Sequence, residues 1–305
     1  MIVEIDGLSR AFGRKKALDG ATLHVPRGCV LGLVGVNGSG KTTLLRHVLG
    51  LYRPQAGTVR VFGLDPAADP PGVLSRVGFM SEEADLPDWM TVAELLRYTA
   101  AFYPSWDRGR AARMCDEFRL EAGQRVGSLS RGLRARAALV VALGHRPELL
   151  LLDEPSAGLD PLARRDILAA VVRETADEGR TVILSSHLLD EVERVADRVA
   201  LMDTGRIAFH GPFDEVRAGH RRLTLRFAEP RAAPPALEGV LSWEGDGREW
   251  TAILRGDEAA AQALAGQAGA ALVEDSAARF DEVFAARKKS NPKLQGVLKV
   301  RVKVT

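Results

Sequence analysis

The loop at residues 35–42 reads Gly35-Val36-Asn37-Gly38-Ser39-Gly40-Lys41-Thr42 and fits the pattern GxxxxGK[ST]. Residues 29–34 before it are nearly all apolar and predict a buried strand, and residues 41–51 after it follow a helical pattern. In this order of strand, loop and helix, the pattern predicts a phosphate-binding loop. A glycine-rich turn with a purely structural role would not require a lysine and a threonine at the last two positions.

Each residue type in this loop has a reason to be there. Glycines let successive backbone N–H groups turn inward on phosphates, and the helix N-terminus adds roughly half a positive charge. Lys41 is predicted to reach the β- and γ-phosphates, and Thr42 to bind a magnesium ion. The residues predicted to bind nucleotide here are Gly35, Val36, Asn37, Gly38, Ser39, Gly40, Lys41, Thr42 and Thr43.

A second element of the same chemistry is an acidic pair at the end of a predicted strand. The apolar residues 149–152 form that strand, and Asp153 and Glu154 follow them. Asp153 is predicted to hold magnesium and Glu154 to polarise an attacking water. Taken alone, such a strand end is also compatible with the capped start of a helix. The phosphate-binding loop on the same chain favours the metal and water roles.

The order of the remaining elements predicts an α/β fold. Strands are expected at 149–152, 181–185 and 199–202, with helices at 162–178 and 188–195 between them, which implies parallel strands with crossovers. Residues 1–31 predict short strands around a turn. Residues 84–145 are mostly helical in pattern, and Thr91 with Glu94 forms a predicted capping box.

A smaller α+β unit is predicted over 219–290. Its expected parts are a strand at 222–227, a pair of strands near 240–254, a helix at 257–268 and a last helix at 280–286. The basic segment 291–305 is interpreted as a disordered tail, with an edge strand and an appended segment as the alternatives.

Bulk composition excludes several classes of protein. The 305 residues carry a net charge of +2, too small for a nucleic-acid partner to be expected from overall electrostatics. The two cysteines, Cys29 and Cys115, have no metal-ligand spacing and suit a reducing cytoplasm. The start of the chain lacks the pattern of a secretory signal, and no apolar run is long enough for a membrane helix. If the protein serves a membrane, another chain is expected to span it.

In order and spacing, these motifs resemble those of the ATP-binding subunits of ABC transporters over about residues 2–218. The resemblance implies a P-loop NTPase fold of the ABC type: a mostly parallel core sheet, an antiparallel β subdomain and a helical subdomain at about 84–145. It places this first domain at 1–218, and it implies ATP and Mg²⁺ as ligands.

The resemblance also implies roles for residues outside the phosphate loop. Asp153 and Glu154 become the Walker B pair, Asp160 closes the D-loop at 156–160, and His187 is the switch histidine. Glu154, Asp160 and His187 are thereby predicted to be catalytic. Phe12 falls at the aromatic position that stacks on adenine. Ser130, Arg131 and Gly132 occupy the signature motif, which contacts ATP held by a second ATPase subunit.

Two positions depart from the family pattern. The signature is usually LSGGQ, but residues 129–133 read Leu-Ser-Arg-Gly-Leu, with Arg131 at its third position. Glu82 stands where the Q-loop glutamine is expected, and its carboxylate is predicted to bind magnesium or the water on it. One hypothesis is that Arg131 of one subunit offsets the charge of Glu82 in the other. Two independent variants are the alternative.

Segments 89–92 and 102–107, together with Ser130-Arg131-Gly132, resemble the ATPases of ABC-2-type exporters. The predicted protein is therefore an ATP-hydrolysing subunit that works as a dimer, with a second copy or a sister subunit. MgATP-driven closure of the dimer would power a separate membrane permease from its cytoplasmic face. The alternatives are a soluble ABC-type ATPase without a membrane partner, a regulatory subunit that binds ATP without hydrolysing it, and an importer. The transported substrate is not set by this chain.

Overall fold

The computed structural model describes residues 1–176 and 179–290. The chain divides into two compact units, the first comprising Met1–His210 and the second beginning at Gly211. The predicted tail at 291–305 and the last two positions of the helix predicted at 162–178 lie outside the described residues. The sequence predicted a boundary between two domains after residue 218. The domain limits 1–218 and 219–290 stay a prediction.

The first unit contains both strands and helices. Its strands are β1 (Val3–Phe12), β2 (Lys15–Val25), β3 (Val30–Val34), β4 (Ala56–Val61), β5 (Val77–Met80), β6 (Leu149–Asp153), β7 (Thr181–Ser186), β8 (Arg198–Asp203) and β9 (Arg206–Pro212). Its helices are α1 (Lys41–Val48), α2 (Pro70–Leu74), α3 (Val92–Ala100), α4 (Arg108–Phe118), α5 (Arg131–Leu143), α6 (Pro161–Ala176) and α7 (Leu189–Val195).

The core sheet has the strand order β5-β6-β7-β3-β8-β9. The pairs β5 with β6, β6 with β7, β7 with β3, and β3 with β8 are parallel. Every residue of β3 and of β6 is buried, which is why β3 and the first four residues of β6 form continuous apolar runs. The mostly parallel core sheet predicted for the chain is confirmed, and it brings the carboxyl ends of β3, β5, β6 and β7 to one edge.

Alternate side chains of β6 pack into two apolar clusters on opposite faces of the sheet. Leu149 and Leu151 belong to a cluster with α1, β1 and β2. Leu150 and Leu152 belong to a cluster with α5 and α6. The acidic end of β6 is therefore anchored from both sides, because a strand with a side-chain period of two presents alternate residues to each face.

The two predicted subdomains of the first unit are present. The antiparallel sheet has the order β2-β1-β4, in strands longer than the short ones predicted for residues 1–31. The helical subdomain contains α3, α4 and α5. Its α3 begins with the predicted capping box, in which the Glu94 carboxylate accepts the Thr91 N–H at 2.8 Å and Thr91 Oγ1 accepts the Glu94 N–H at 3.2 Å.

The second unit is α+β. It contains α8 (Phe213–Ala218), β10 (His220–Arg231), β11 (Val240–Arg255), α9 (Glu258–Ala268), β12 (Ala271–Ala277) and α10 (Phe280–Ser290). Its sheet has the order β11-β10-β12, with both pairs antiparallel.

The second unit matches the sequence prediction in one detail and differs from it in another. The expected pair of strands near 240–254 is present within β11, where the chain reverses around Gly245 and Gly247, which take positive φ values of 132° and 55°. The reversal brings the two ends of β11 together, and the Arg255 N–H donates to the carbonyl oxygen of Gly239 at 2.9 Å. The strand β12 was not predicted. It lies at the edge of the sheet with few buried side chains, so its sequence lacks an apolar alternation.

Candidate functional site

The predicted site residues of the core sheet follow the carboxyl ends of four parallel strands. The phosphate loop follows β3, Glu82 follows β5, Glu154 follows β6, and His187 follows β7. Ligands of open α/β sheets bind at this edge, where loops meet and helix N-termini point outward. The strand order β5-β6-β7-β3 puts these four loops next to one another.

The phosphate loop depends on glycine at two close approaches. Gly40 has a φ of 112° and caps the N-terminus of α1, and a Cβ there would lie 2.5 Å from the carbonyl oxygen of Ala17. A Cβ at Gly35 would lie 2.4 Å from the carbonyl oxygen of Met202. Side chains at these positions would push the loop away from β2 and β8, so the glycines allow the cradle to form.

Lys41 is buried, with only 5% of its surface exposed. Its Nζ donates to the carbonyl oxygen of Gly35 at 2.6 Å and lies 3.0 Å from Glu154 Oε1. A buried ammonium group needs such partners because burial removes its hydration. The contact joins the phosphate loop to the end of β6, as the predicted shared nucleotide site requires.

Glu154 is the centre of this arrangement. Its other oxygen, Oε2, lies 2.7 Å from His187 Nδ1 and accepts the His187 N–H at 3.2 Å. The residue is 6% exposed and has a φ of 49°, a left-handed conformation that is unusual for a residue other than glycine. Strain of this kind persists where the surroundings dictate it, and it concentrates at functional sites.

Asp153 is also buried, and its Oδ1 accepts a hydrogen bond from Ser185 Oγ at 2.9 Å. Because Ser185 belongs to β7, this bond holds the two strand ends together. Within residues 1–176 and 179–290, no group of three or more His, Cys, Asp or Glu side chains is arranged to hold a metal ion. Mg²⁺ usually takes one or two protein oxygens together with phosphate and water oxygens.

An open cleft collects most of the predicted nucleotide-binding residues. It is lined by Phe12, Lys15, Ala17, Asn37, Gly38, Gly40, Lys41, Thr42, Thr43, Glu82 and Glu154. Gly35 and Ser39 are buried in the floor of the loop, beside the half-buried Val36. Lys15 and Ala17 were not predicted. They come from β2, and nothing in their sequence context marks them.

Phe12 lies at one end of this cleft with 44% of its surface exposed. Its ring packs edge-on against Tyr52, with ring centroids 5.5 Å apart. The guanidinium carbon of Arg10 lies 5.0 Å from the Phe12 ring centroid. The ring therefore has support from its neighbours and an open face, which is what stacking on a base requires.

The signature residues lie apart from this cleft. Ser130 caps α5 by accepting the Leu133 N–H at 3.3 Å, and Gly132 packs so tightly that a Cβ would lie 3.0 Å from Ala163 Cβ. Arg131 lines a second cleft together with residues of the D-loop and with Glu82. Within one chain, Glu82 and Arg131 thus share a cleft, and the predicted contact between Arg131 and Glu82 of different subunits stays a hypothesis.

Asp160 serves the start of α6. Its Oδ1 accepts the N–H groups of Leu162 and Ala163, each at 2.9 Å. The bond from Ala163 is the main cause that lowers the pKa of Asp160 below its usual value. This is the geometry of a helix cap. The catalytic role predicted for Asp160 stays a prediction.

Sequence reasoning missed Arg134, which ties α5 to the loop that follows Glu82. Its Nε donates to the carbonyl oxygen of Ala84 at 3.0 Å, its Nη2 to that of Leu86 at 2.9 Å, and its Nη1 to Asp88 Oδ1 at 2.6 Å. No motif of short spacing reveals such a contact, because the partners are about fifty positions apart.

The chain is similar to known ATP-binding proteins. A family profile described as ABC transporter matches residues 18–157. The daunorubicin/doxorubicin resistance ATP-binding protein DrrA of Streptomyces peucetius is 36% identical over 249 residues, which are 79% of this chain and 75% of that protein. The bacitracin transport ATP-binding protein BcrA of Bacillus licheniformis is 30% identical over 240 residues, 78% of each chain.

Among solved structures, the ATP-binding subunit of an ABC transporter superposes with a TM-score of 0.66 at 30% identity. The match covers 71% of this chain and 92% of that one. In residues 1–176 and 179–290, no helix is both long enough and apolar enough to span a membrane.

Proposed function

We infer a function from the premise that the chain belongs to the ABC transporter family, as an ATP-binding subunit and an ATPase. The family predicted from the sequence is thereby confirmed. We propose that MgATP closes a dimer of this subunit and so powers export through a separate membrane permease. The observation that carries the catalytic part is the contact of Glu154 with both Lys41 and His187, at the edge of the cleft that Phe12 borders.

The phosphate loop binds the triphosphate in this proposal. Its backbone N–H groups and the N-terminus of α1 meet the phosphates, and Lys41 turns from Glu154 to the β- and γ-oxygens. Phe12 stacks on the adenine ring. Exchange of a carboxylate for a phosphate partner keeps the buried ammonium group paired, so its charge remains compensated during binding.

Mg²⁺ fits the oxygen donors that the site offers. The hydroxyl of Thr42 and the carboxylate of Asp153 would hold it, with Glu82 beside them through its own carboxylate or a water. When bound, the ion neutralises charge on the phosphate oxygens. Ser185 keeps the Asp153 carboxylate in place by its hydrogen bond of 2.9 Å.

Glu154 is the general base of the proposed reaction, and His187 orients it and contacts the γ-phosphate. Once Lys41 has moved to the phosphates, Oε1 of Glu154 is available to a water in line with the γ-phosphorus. The second oxygen stays held by His187 at 2.7 Å, which restricts the carboxylate to one orientation.

A second subunit completes the site in the proposal. Ser130 and Arg131 are exposed at the N-terminus of α5 and do not line the cleft of Phe12 and Lys41 in their own chain. A helix N-terminus favours anions, so this end of α5 suits the γ-phosphate of a nucleotide held by another copy or a sister subunit. The D-loop with Asp160 would lie at the same junction.

The transport role is supported by the relatives, whose names describe ATP-binding proteins of daunorubicin/doxorubicin resistance and of bacitracin transport. We extend this to export through a permease and to a place at the cytoplasmic face of the membrane. Purification from membranes in detergent should recover the chain with an integral membrane protein. Recovery without any membrane protein would favour the alternative of an ABC-type ATPase without a membrane partner.

The decisive test of the catalytic proposal is Glu154→Gln, which keeps the side chain's shape and removes its charge. Loss of a general base should lower kcat for phosphate release by about 100-fold or more. Binding of the fluorescent analogue mant-ATP should stay within a few-fold of wild type. With ATP and Mg²⁺, the variant should also accumulate as a dimer in size-exclusion chromatography.

Glu148→Gln is the matched control, because Glu148 precedes the other end of β6 and pairs there with Arg27 and Arg76. It should hydrolyse ATP like the wild type. If Glu154→Gln also hydrolyses ATP at the wild-type rate, Glu154 is not the base. A wild-type protein that binds ATP but releases no phosphate would support the non-hydrolysing alternative.

A further inference from the structure

Glu191, in the first turn of α7, is a carboxylate with 1% of its surface exposed. The hydroxyl of Ser156 lies 2.6 Å from both of its oxygens, and the hydroxyl of Ser186 donates to Oε2 at 3.0 Å. Arg164 Nε lies 3.1 Å from Oε1. Neither the phosphate-binding motif nor the nucleotide cleft includes this cluster.

The donors to Glu191 come from three separate segments. Ser156 follows β6, Ser186 ends β7, and Arg164 belongs to α6. A buried carboxylate is costly unless donors compensate for its lost hydration, so the folded chain favours the arrangement in which all three segments meet it. The Glu191 side chain therefore cross-links the loop after β6 to the end of β7.

Those two segments carry the groups that act on ATP in the proposed function. Ser156 lies two residues after Glu154, and Ser186 immediately precedes His187. Ser186 Oγ also accepts the Leu188 N–H at 3.0 Å, so it fixes the backbone on both sides of His187. Any movement of Ser156 relative to Ser186 would change the 2.7 Å contact between Glu154 and His187.

We propose that Glu191 is a positioning residue for ATP hydrolysis, whose buried carboxylate ties Ser156 to Ser186 and so sets how Glu154 meets His187. This inference rests on the proposed role of Glu154. It assigns Glu191 no contact with nucleotide. Its removal should therefore reduce turnover and leave ATP binding nearly unchanged.

The test compares Glu191→Ala and Glu191→Gln with the wild type in the full chain. Misplacing reacting groups by about an ångström can cost up to about 100-fold, so Glu191→Ala should lower kcat at least about tenfold while the Kd for mant-ATP changes less than about twofold. Glu191→Gln should restore most of the rate. Its carbonyl can face Arg164, and its NH₂ group can donate to the serine hydroxyls.

Glu148→Ala is the control for a purely structural loss, since it removes a carboxylate that pairs with two arginines away from the site. Its kcat should stay near that of the wild type, whatever its melting temperature. The proposal would be overturned if the kcat of Glu191→Ala were as high as that of Glu148→Ala. Equal losses of kcat and of mant-ATP affinity, or a Glu191→Gln variant as slow as the alanine variant, would also overturn it.

Ser156→Ala provides a second route if Glu191→Ala does not fold. It removes one donor and leaves Ser186 and Arg164 on the carboxylate, so we expect kcat to fall by several-fold with mant-ATP affinity unchanged. A Ser156→Ala enzyme with wild-type kcat would contradict the cross-link. A wild-type protein without ATPase activity would instead contradict the proposed function, so the two failures are distinguishable.

Discussion

At the scale of single residues, the candidate site contains a buried ion pair and a strained backbone conformation, and the packing of the first unit holds both in place. Lys41 and Glu154 form a buried ion pair at 3.0 Å, and Glu154 holds a left-handed backbone conformation. A buried pair contributes little net stability, because the desolvation of both groups offsets their attraction. In the proposed function, the pair places Lys41 beside the phosphates of the bound nucleotide and Glu154 beside the attacking water.

A different buried residue, His145, makes a pH-dependent contribution to stability. Its ring stacks on Tyr103 with centroids 3.9 Å apart, and its Nε2 lies 3.2 Å from the carbonyl oxygen of Val77. Burial lowers the pKa of His145 from 6.5 to about 4. In the unfolded chain the residue takes up a proton near its usual pKa, whereas the folded protein resists that proton until the pH falls to about 4.

The unfolded state therefore binds more protons between these two values, and the free energy of unfolding should fall as the pH falls through that window. Replacement by His145→Gln removes the titrating group and keeps a side-chain donor near Val77. Urea unfolding at about pH 7.5 and about pH 5 should show a smaller pH-dependent loss in the variant than in the wild type. Equal losses in both proteins would rule out His145 as the source.

At the scale of elements, Arg134 connects α5 to the loop at 84–88. Three hydrogen bonds run from one guanidinium group to two backbone carbonyls and to Asp88. The Arg134 side chain is 24% exposed, so solvent screens these bonds only in part. The loop after Glu82 should thus follow any movement of the helix that begins at the signature residues.

The variant Arg134→Met keeps the apolar part of the side chain and removes all three bonds. We expect a loss of about 2 kcal/mol in the free energy of unfolding. Amide hydrogen exchange at 84–88 should become faster, while exchange in β6 stays as in the wild type.

Arg136→Met is the control on the same helix, because Arg136 pairs instead with Asp166 of α6 at 2.8 Å. In this control variant, the backbone amides of residues 84–88 should exchange their hydrogens at the wild-type rate. If Arg134→Met leaves exchange at 84–88 unchanged, the loop is held by other contacts and the proposed connection to α5 is wrong.

At the scale of the whole molecule, the two units have separate hydrophobic cores, and the candidate nucleotide site belongs to the first unit. The cluster formed by β10, β11 and α9 contains Leu223, Trp250 and Leu264, and all of its members lie beyond Gly211. The two clusters around the core sheet belong to the first unit. A unit with its own core is expected to retain its fold when another is removed.

A chain that ends at residue 218 should therefore bind mant-ATP with a Kd within about threefold of the full-length protein. Fluorescence titration of both proteins measures this directly. Circular dichroism of the shortened chain checks its fold. A folded but non-binding fragment would show that the second unit contributes to the nucleotide site, and an unfolded one would refute the independence of the first unit.

The sequence by itself determined the local parts of this protein. The phosphate loop, the acidic end of β6 and the capping box at Thr91 were predictable because each depends on consecutive residues whose conformations are set by glycine freedom, apolar runs or caps. The family pattern extended this to Phe12 and His187. It did not extend to β12, whose exposed edge position leaves no pattern to detect.

Only the tertiary structure decided which distant residues meet. The contact of Glu154 with Lys41 and His187, the three bonds of Arg134, and the contact of Glu191 with Ser156 join segments that are far apart along the chain. Such contacts depend on strand order and on the packing of helices against the sheet, and these are set by the burial of apolar surface across the whole unit. No short stretch of sequence contains that information.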